Sequence, residues 1–358
     1  MQQPKFPKVN FIGNKDGLSA WICSYFPSDT KVVFDAFSGG GSVGYEAKKQ
    51  GFKVITNDIL KTNMLLATAL IENQDTILDE NDLETLFSGQ PIKGFMYREY
   101  SNVYFFPEEC MQLDQYRENV EKLSSKYKKA LALSLLRRSM IRKMPYSRFT
   151  INWETIKRLR DEAYSYEKYG RKRAYHNQSF KEHILEAVAS YNEAVFDNSQ
   201  ENLAYNVDIF EVLGKVKADV VYLDPPYSGT MNNYFGFYGV LDEYFASKKL
   251  KPFENNFVDK KKALYLFDKL FSSLGSYKYW FMSYNNSSYP SKEELVKLLE
   301  KYSDSITVVE KPHKYKLTNK ENKEKNKEYL FIVKNLHKNF RPVMFQVDQP
   351  ALCEELAV

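Results

Sequence analysis

Short apolar runs punctuated by glycine mark both ends of the chain, and a long helical stretch separates them. Val32-Val33-Phe34-Asp35 is bounded by Thr30 and by Gly39-Gly40-Gly41, the pattern of a buried parallel strand entering a tight loop. A helix from about Ser42 to Gln50 follows, Gly51 caps it, and residues 52–58 form a second strand, completing a β-α-β unit. Helical apolar spacing then runs from about Asn63 to Leu86. Strands resume at 219–223, 279–283, 305–309 and 329–333, the last two as a closing antiparallel hairpin.

The stretch from about Pro91 to Val195 departs from this rhythm, being mostly helical, basic and rich in tyrosine. Within it Ala130 to Arg142 is a strong helix that Pro145 stops. The expected fold class is α/β, a doubly wound and mostly parallel sheet carrying an inserted, mainly helical unit. Residues 1–90 and 196–358 supply the sheet and 91–195 the insert. Lys316 to Lys327, low in complexity, reads as a loop between the final strands.

At 358 residues the chain suits one large domain with an insertion, and 43% hydrophobic with 27% charged residues exclude a disordered or membrane-embedded class. No apolar run nears the roughly 18 residues of a spanning helix, and Met1 to Lys5 lacks a signal-peptide pattern, so the cytoplasm is the expected compartment. Three cysteines without CxxC spacing and four histidines argue against disulfides or a metal site. Charge changes the picture locally. Between Arg117 and Glu182 there are 18 Lys and Arg against 7 Asp and Glu, a balance of +11 in a chain of net +5, so the remainder is acidic.

Asp35-Ala36-Phe37-Ser38-Gly39-Gly40-Gly41-Ser42 puts glycines where a strand hands over to a helix, letting backbone approach a ligand. Asp58 closes the next strand, 23 residues after Asp35, placed to accept ribose hydroxyls. Together they describe a nucleoside pocket, although Gly39 to Gly44 also satisfies the dinucleotide pattern GxGxxG and a purely structural turn remains an alternative. Asp35 would repel a pyrophosphate and suits the cationic methionyl end of S-adenosylmethionine.

The most informative segment is Val220 to Tyr227, an apolar strand ending in Asp224-Pro225-Pro226-Tyr227. Two prolines remove two N–H donors, so the turn offers carbonyls and a carboxylate, all acceptors. Such a turn suits an amine that must be held and activated, the exocyclic amine of adenine above all. The base must leave the duplex to be reached, and Tyr227 offers it an aromatic face. Cytosine C5 chemistry would need a thiolate after proline, and no cysteine here is so placed.

In this order the motifs resemble the Dam-like N6-adenine-specific DNA methyltransferases of alpha-type arrangement, over most of the chain except the insert. The resemblance implies a Rossmann-like fold using S-adenosylmethionine. It implies that Asn10 to Lys15 is the amino-terminal segment over the cofactor, with roles for Phe11 and Lys15. It further implies cofactor contacts from Asp35, Phe37, Gly39, Ser42, Asp58 and Ile59, and from Asp208 and Ile209 within Asn206 to Phe210, and a target-recognition role for the insert.

In that insert Arg137, Arg138, Arg142, Lys143 and Arg148 stand beside Tyr146 and Ser147, with a second cluster at Arg171-Lys172-Arg173. These are the candidate contacts to double-stranded DNA, against the ordinary alternative of a solvated helix face. A separate cognate restriction endonuclease is a candidate partner, and the expected state is a monomer or weak dimer. A dinucleotide oxidoreductase, an RNA or other amine methyltransferase and a non-catalytic DNA-binding module are the competing readings.

Overall fold

The computed structural model describes residues 4–170, 176–228, 234–253, 257–312 and 326–335. Seven strands form one sheet: β1 Val32–Asp35, β2 Lys53–Asn57, β3 Leu203–Tyr205, β4 Val220–Leu223, β5 Tyr279–Asn285, β6 Ile306–Pro312 and β7 Lys327–Lys334. Their order is β3-β2-β1-β4-β5-β7-β6. The first five lie parallel, and β7 runs antiparallel between β5 and β6. The hairpin expected at the end is therefore an antiparallel pair whose second strand inserts inward.

Alternation along the central strands divides the core between the two faces of the sheet. Val33, Val54, Tyr222 and Phe281 join one apolar cluster, while Phe34, Ile55, Val221, Leu223, Trp280 and Met282 join the other. Burial on both faces explains why β1 and β4 read as unbroken apolar runs, each aliphatic side chain contributing roughly 1.5–3 kcal/mol when withdrawn from water.

From β1 the chain winds outward through β2 to β3, and from β4 the other way, so strand order reverses between β1 and β4. A crevice opens beyond the carboxyl ends of strands at such a point. Asp35 is in register with Tyr222, which brings Asp224, two residues later, out at the same end.

Helical segments occupy the chain between β2 and β3. The helix expected from 63 to 86 is broken: Lys61–Ala67 runs into a π turn at Thr68–Glu72, and Glu80–Leu86 begins anew under an Asp79 and Asp82 capping box. Helix Lys126–Lys143 is longer than expected, starts at the Ser125 cap and stops before Pro145. It packs between Lys61–Glu72 and the helix Phe180–Asn192, so its side chains share the core cluster of the β1 face. Strand β3, three residues long, carried too little pattern to be read from sequence. No helix among the described residues is long and apolar enough to cross a membrane.

Candidate active site

A cavity of about 300 Å³ occupies the crevice where β1 and β4 end. The glycine loop forms its floor. Gly39 and Gly41 have φ of +50° and +76°, which side-chain-bearing residues rarely adopt, and a Cβ at Gly39 would come within 3.1 Å of the Phe11 ring. Phe11, Lys15, Asp35, Phe37, Gly39, Ser42, Asp58, Ile59, Asp208, Ile209, Asp224 and Pro226 all line this one space.

Asp35 is buried beneath the loop, and its Oδ2 accepts the Gly44 N–H at 3.0 Å. Burial, with Asp224 and Asp58 nearby, pushes its carboxyl up to about 8. Asp58 braces the loop from the other side, accepting the Gly39 N–H through Oδ2 and the Leu60 N–H through Oδ1, both at 2.8 Å. Burial raises this carboxyl too. Asn206 holds the β2 turn to the β3 turn, donating to the Asp58 and Ile59 carbonyls at 2.7 and 2.9 Å. Asp208 Oδ1 caps the short helix Ile209–Val212 through the Phe210 N–H.

At the opposite wall Lys15 Nζ donates to both oxygens of Asp224, at 2.9 and 2.8 Å, and lies 3.4 Å from Glu328 Oε1. Burial and Glu328 raise the Asp224 carboxyl and Lys15 lowers it, leaving it at about 6. The amino-terminal segment is locked in place by helix Tyr234–Ala246. Phe11 stacks on Tyr234 and Tyr238 with ring centroids 5.6 and 4.8 Å away, and the Ile12 N–H donates to Tyr238 Oη at 2.9 Å.

A family model of the D12 class N6 adenine-specific DNA methyltransferases matches residues 11–298. The chain belongs to this family. It is 56% identical over 335 residues to the type II methyltransferase M2.HphI of Haemophilus parahaemolyticus, covering 94% of this chain and all of that protein. Type II methyltransferase M.FokI of Planomicrobium okeanokoites is 24% identical over 91% of this chain, which spans about half, 52%, of that protein's length. Type II methyltransferase M.NlaIII of Neisseria lactamica is 23% identical over 88% of this chain and 95% of its own length. This D12 methyltransferase is thus an adenine-N6 DNA-modifying enzyme, which removes the oxidoreductase, the RNA methyltransferase and the non-catalytic module from contention.

Three of the cations expected to contact DNA are turned inward. Arg137 is fully buried, donating to the Val9 carbonyl at 3.0 Å and Asn63 Oδ1 at 3.2 Å, with its guanidinium 5.4 Å from the Phe11 ring. Arg138 reaches the Lys8 carbonyl at 3.0 Å, and Lys143 pairs with Glu109 at 2.8 Å and with the His176 carbonyl at 3.2 Å. A helix packed on both sides turns these cations inward, where carbonyls of neighbouring segments accept their hydrogen bonds and Glu109 supplies a counter-charge to Lys143. Arg142, in the last turn of that helix, and Tyr146, Ser147 and Arg148, on the turn after it, remain partly or well exposed. Arg171, Lys172 and Arg173 lie outside the described residues.

Tyr227 stands apart from the cavity. Its ring is 8% exposed, sits 4.9 Å from that of Tyr284 and is not part of the cavity wall, where the turn is represented by Asp224 and Pro226. Pro225, between them, is likewise no part of that wall. Among the aromatic residues that line the space are Tyr222, Tyr234 and Phe235, and sequence reasoning missed the last two as site residues. The run Tyr234-Phe235-Gly236-Phe237-Tyr238, ten residues after Asp224, was the available signal.

Proposed function

We propose that this methyltransferase moves a methyl group from S-adenosylmethionine to N6 of an adenine extruded from double-stranded DNA, as the modification enzyme of a restriction–modification system. The type II names of its relatives support the biological setting. One observation carries the chemistry: an acceptor-only Asp224 turn and a glycine-lined nucleoside crevice share a single cavity.

The residues present fit the cofactor. Asp35 Oδ1, Asn14 Oδ1 and Ser38 Oγ are buried polar atoms without hydrogen-bond partners among the described residues, all on residues of the cavity wall. An α-ammonium and α-carboxylate would satisfy such atoms, with Asp35 answering the ammonium. Asp58 keeps spare lone pairs for ribose hydroxyls, while Ile59, Asp208 and Ile209 flank the nucleobase end, and Phe37 and Ser42 complete the wall.

When bound, S-adenosylmethionine supplies an electrophilic methyl, and its C–S bond breaks with the electron pair left on sulfur. Asp224 accepts a hydrogen bond from one N–H of the adenine amine, and the Pro225 carbonyl accepts from the other once the turn shifts to bring it to the cavity wall, so that the lone pair is free of the ring and forms the N–C bond. The methylated nitrogen then sheds one proton to solvent, restoring neutrality. Rate comes from holding the amine in line, a gain of positioning and preset electrostatics. Tyr234 and Phe235 give the extruded base its aromatic wall, a duty Tyr227 could assume only by leaving Tyr284.

Residues 91–195 form the target-recognition part of the chain and 1–90 with 196–358 the catalytic part. Within the former, Arg148 and the exposed helices Trp153–Arg160 and Glu162–Tyr169 face the duplex. Incubating the protein with radiolabelled S-adenosylmethionine and duplex DNA, then digesting the DNA to nucleosides, tests the proposal. Label in N6-methyl-2′-deoxyadenosine supports it, and unlabelled deoxyadenosine refutes it.

A further inference from the structure

Glu328 has no part in the chemistry proposed above, yet it is among the most completely buried charged residues of the chain, 0% exposed on β7. The antiparallel register sets it opposite Asn285 of β5, on the pleat face it shares with Leu330. Its Oε1 lies 3.4 Å from Lys15 Nζ, and Lys15 in turn holds both oxygens of Asp224. Burying a carboxylate costs several kcal/mol unless something offsets it. Lys15 thus stands between two carboxylates, Asp224 at 2.8 Å and Glu328 at 3.4 Å, so the charge of Glu328 is felt at Asp224 through the shared ammonium.

We infer that Glu328 is a positioning residue for methyl transfer: through Lys15 it aligns the ammonium across the two oxygens of Asp224 and keeps that carboxylate a strong acceptor. The inference rests on the role proposed for Asp224. A lone buried ammonium would draw electron density from Asp224 and weaken its hold on the adenine amine; a second carboxylate behind the ammonium shares that pull. Lys15 lines the cavity and already shares the Asp224 oxygens, and the pull of Glu328 on its far side leaves more of those lone pairs to the amine.

The groups facing Asp224 come from several elements. Lys15 is on the amino-terminal segment, Glu328 on β7, Asp35 on β1, Tyr222 on the strand that leads to Asp224 and Tyr234 on the following helix. Of these, Glu328 raises the Asp224 carboxyl and Lys15 lowers it. Glu328→Gln keeps the shape and removes the charge, so Asp224 ionises more readily and accepts less strongly.

Single-turnover rates from pH 5 to 9 test this in the full-length protein. Glu328→Gln is expected to lower kcat about 10- to 100-fold, the range of a displaced catalytic group. Its acid limb should move to lower pH, while S-adenosylmethionine affinity by calorimetry and KM for DNA stay unchanged. Glu328→Asp, which keeps the charge, should lower kcat with its limb near the wild-type position. An unmoved limb in Glu328→Gln, or wild-type kcat in either variant, overturns the inference. Should Glu328→Gln fail to bind cofactor, the Glu328→Asp rate decides by the same criterion. Asp224→Asn separates the two layers: inactivity there with an unaltered Glu328→Gln profile sinks the inference alone, whereas wild-type turnover in Asp224→Asn sinks the role of Asp224 itself.

Discussion

Lys15 and Asp224, 209 residues apart in sequence, meet in a two-oxygen ion pair of 2.8 and 2.9 Å at the wall of the cofactor crevice. The pair ties the amino-terminal segment to the turn after β4, so the carboxylate proposed to hold the adenine amine is itself held by a residue of the amino-terminal segment. Loss of Lys15 leaves Asp224 and Glu328 facing each other without the cation between them. In Lys15→Met the Asp224 carboxyl should therefore rise, and the acid limb of kcat should move from near pH 6 to higher pH. Asp224→Ala should lower methyl transfer at least about 10³-fold with cofactor affinity retained, the scale of removing one hydrogen bond that the transition state depends on. Rates across pH and calorimetric titration check both, and turnover by Asp224→Ala would end the proposal.

Asp35 predicts proton-linked cofactor binding. Its carboxyl sits at about 8 because it is buried near Asp224 and Asp58. A cationic ammonium favours the ionised form, so binding should release a proton. Affinity for S-adenosylmethionine should climb as pH rises toward about 8, by at most tenfold per unit, and level off above it. Calorimetry in two buffers of different ionisation enthalpy measures the released proton. Asp35→Asn should bind weakly, with no slope against pH.

Arg137 and Arg148 should separate stability from DNA binding. Removing the buried Arg137 guanidinium strands the Val9 carbonyl and Asn63 Oδ1 and withdraws the platform beneath Phe11. Arg137→Met should cost about 3 kcal/mol of stability, taking hydrogen bonds to a charged group at roughly 1.5–3 kcal/mol each. Denaturant unfolding measures it. Arg148→Ala, on the turn, should unfold like wild type and bind DNA less tightly.

The central strands, the glycine loop and the Asp224 turn were legible because burial on both faces writes an unbroken apolar run, and because few residue types fit a crowded turn. The burial of Arg137, Arg138 and Lys143 was not legible: a charge run on a helix looks the same whether its partners are phosphates or internal acceptors from distant segments. Glu328 was hidden among residues of a strand that reads as apolar, though a lone acid in phase with Leu330 was a usable signal. Tyr227 follows the motif by sequence, but its ring packs on Tyr284, a neighbour that sequence does not place beside it.

The exposed helix pair after the buried cations should carry the electrostatic footprint of DNA. Arg158 and Lys168 stack beside Tyr164, with their charges at 5.6 and 5.5 Å from its ring, and Tyr166 is 61% exposed. Cations presented beside aromatic faces suit a backbone phosphate with an adjoining sugar or base. Each phosphate left without its cation should reduce the slope of log K against log salt by about 0.9, because one fewer counterion is released. Arg148→Ala, Arg158→Ala and Lys168→Ala should each shrink the slope by that amount, and the double variant Arg158→Ala/Lys168→Ala by about twice as much. Single-turnover chemistry at saturating DNA should stay at the wild-type rate, since none of these residues lines the cavity. Filter binding from 50 to 300 mM salt, roughly the range over which phosphate neutralisation dominates, reads the slopes. A slope unchanged in all three variants would move the duplex to another face of the protein.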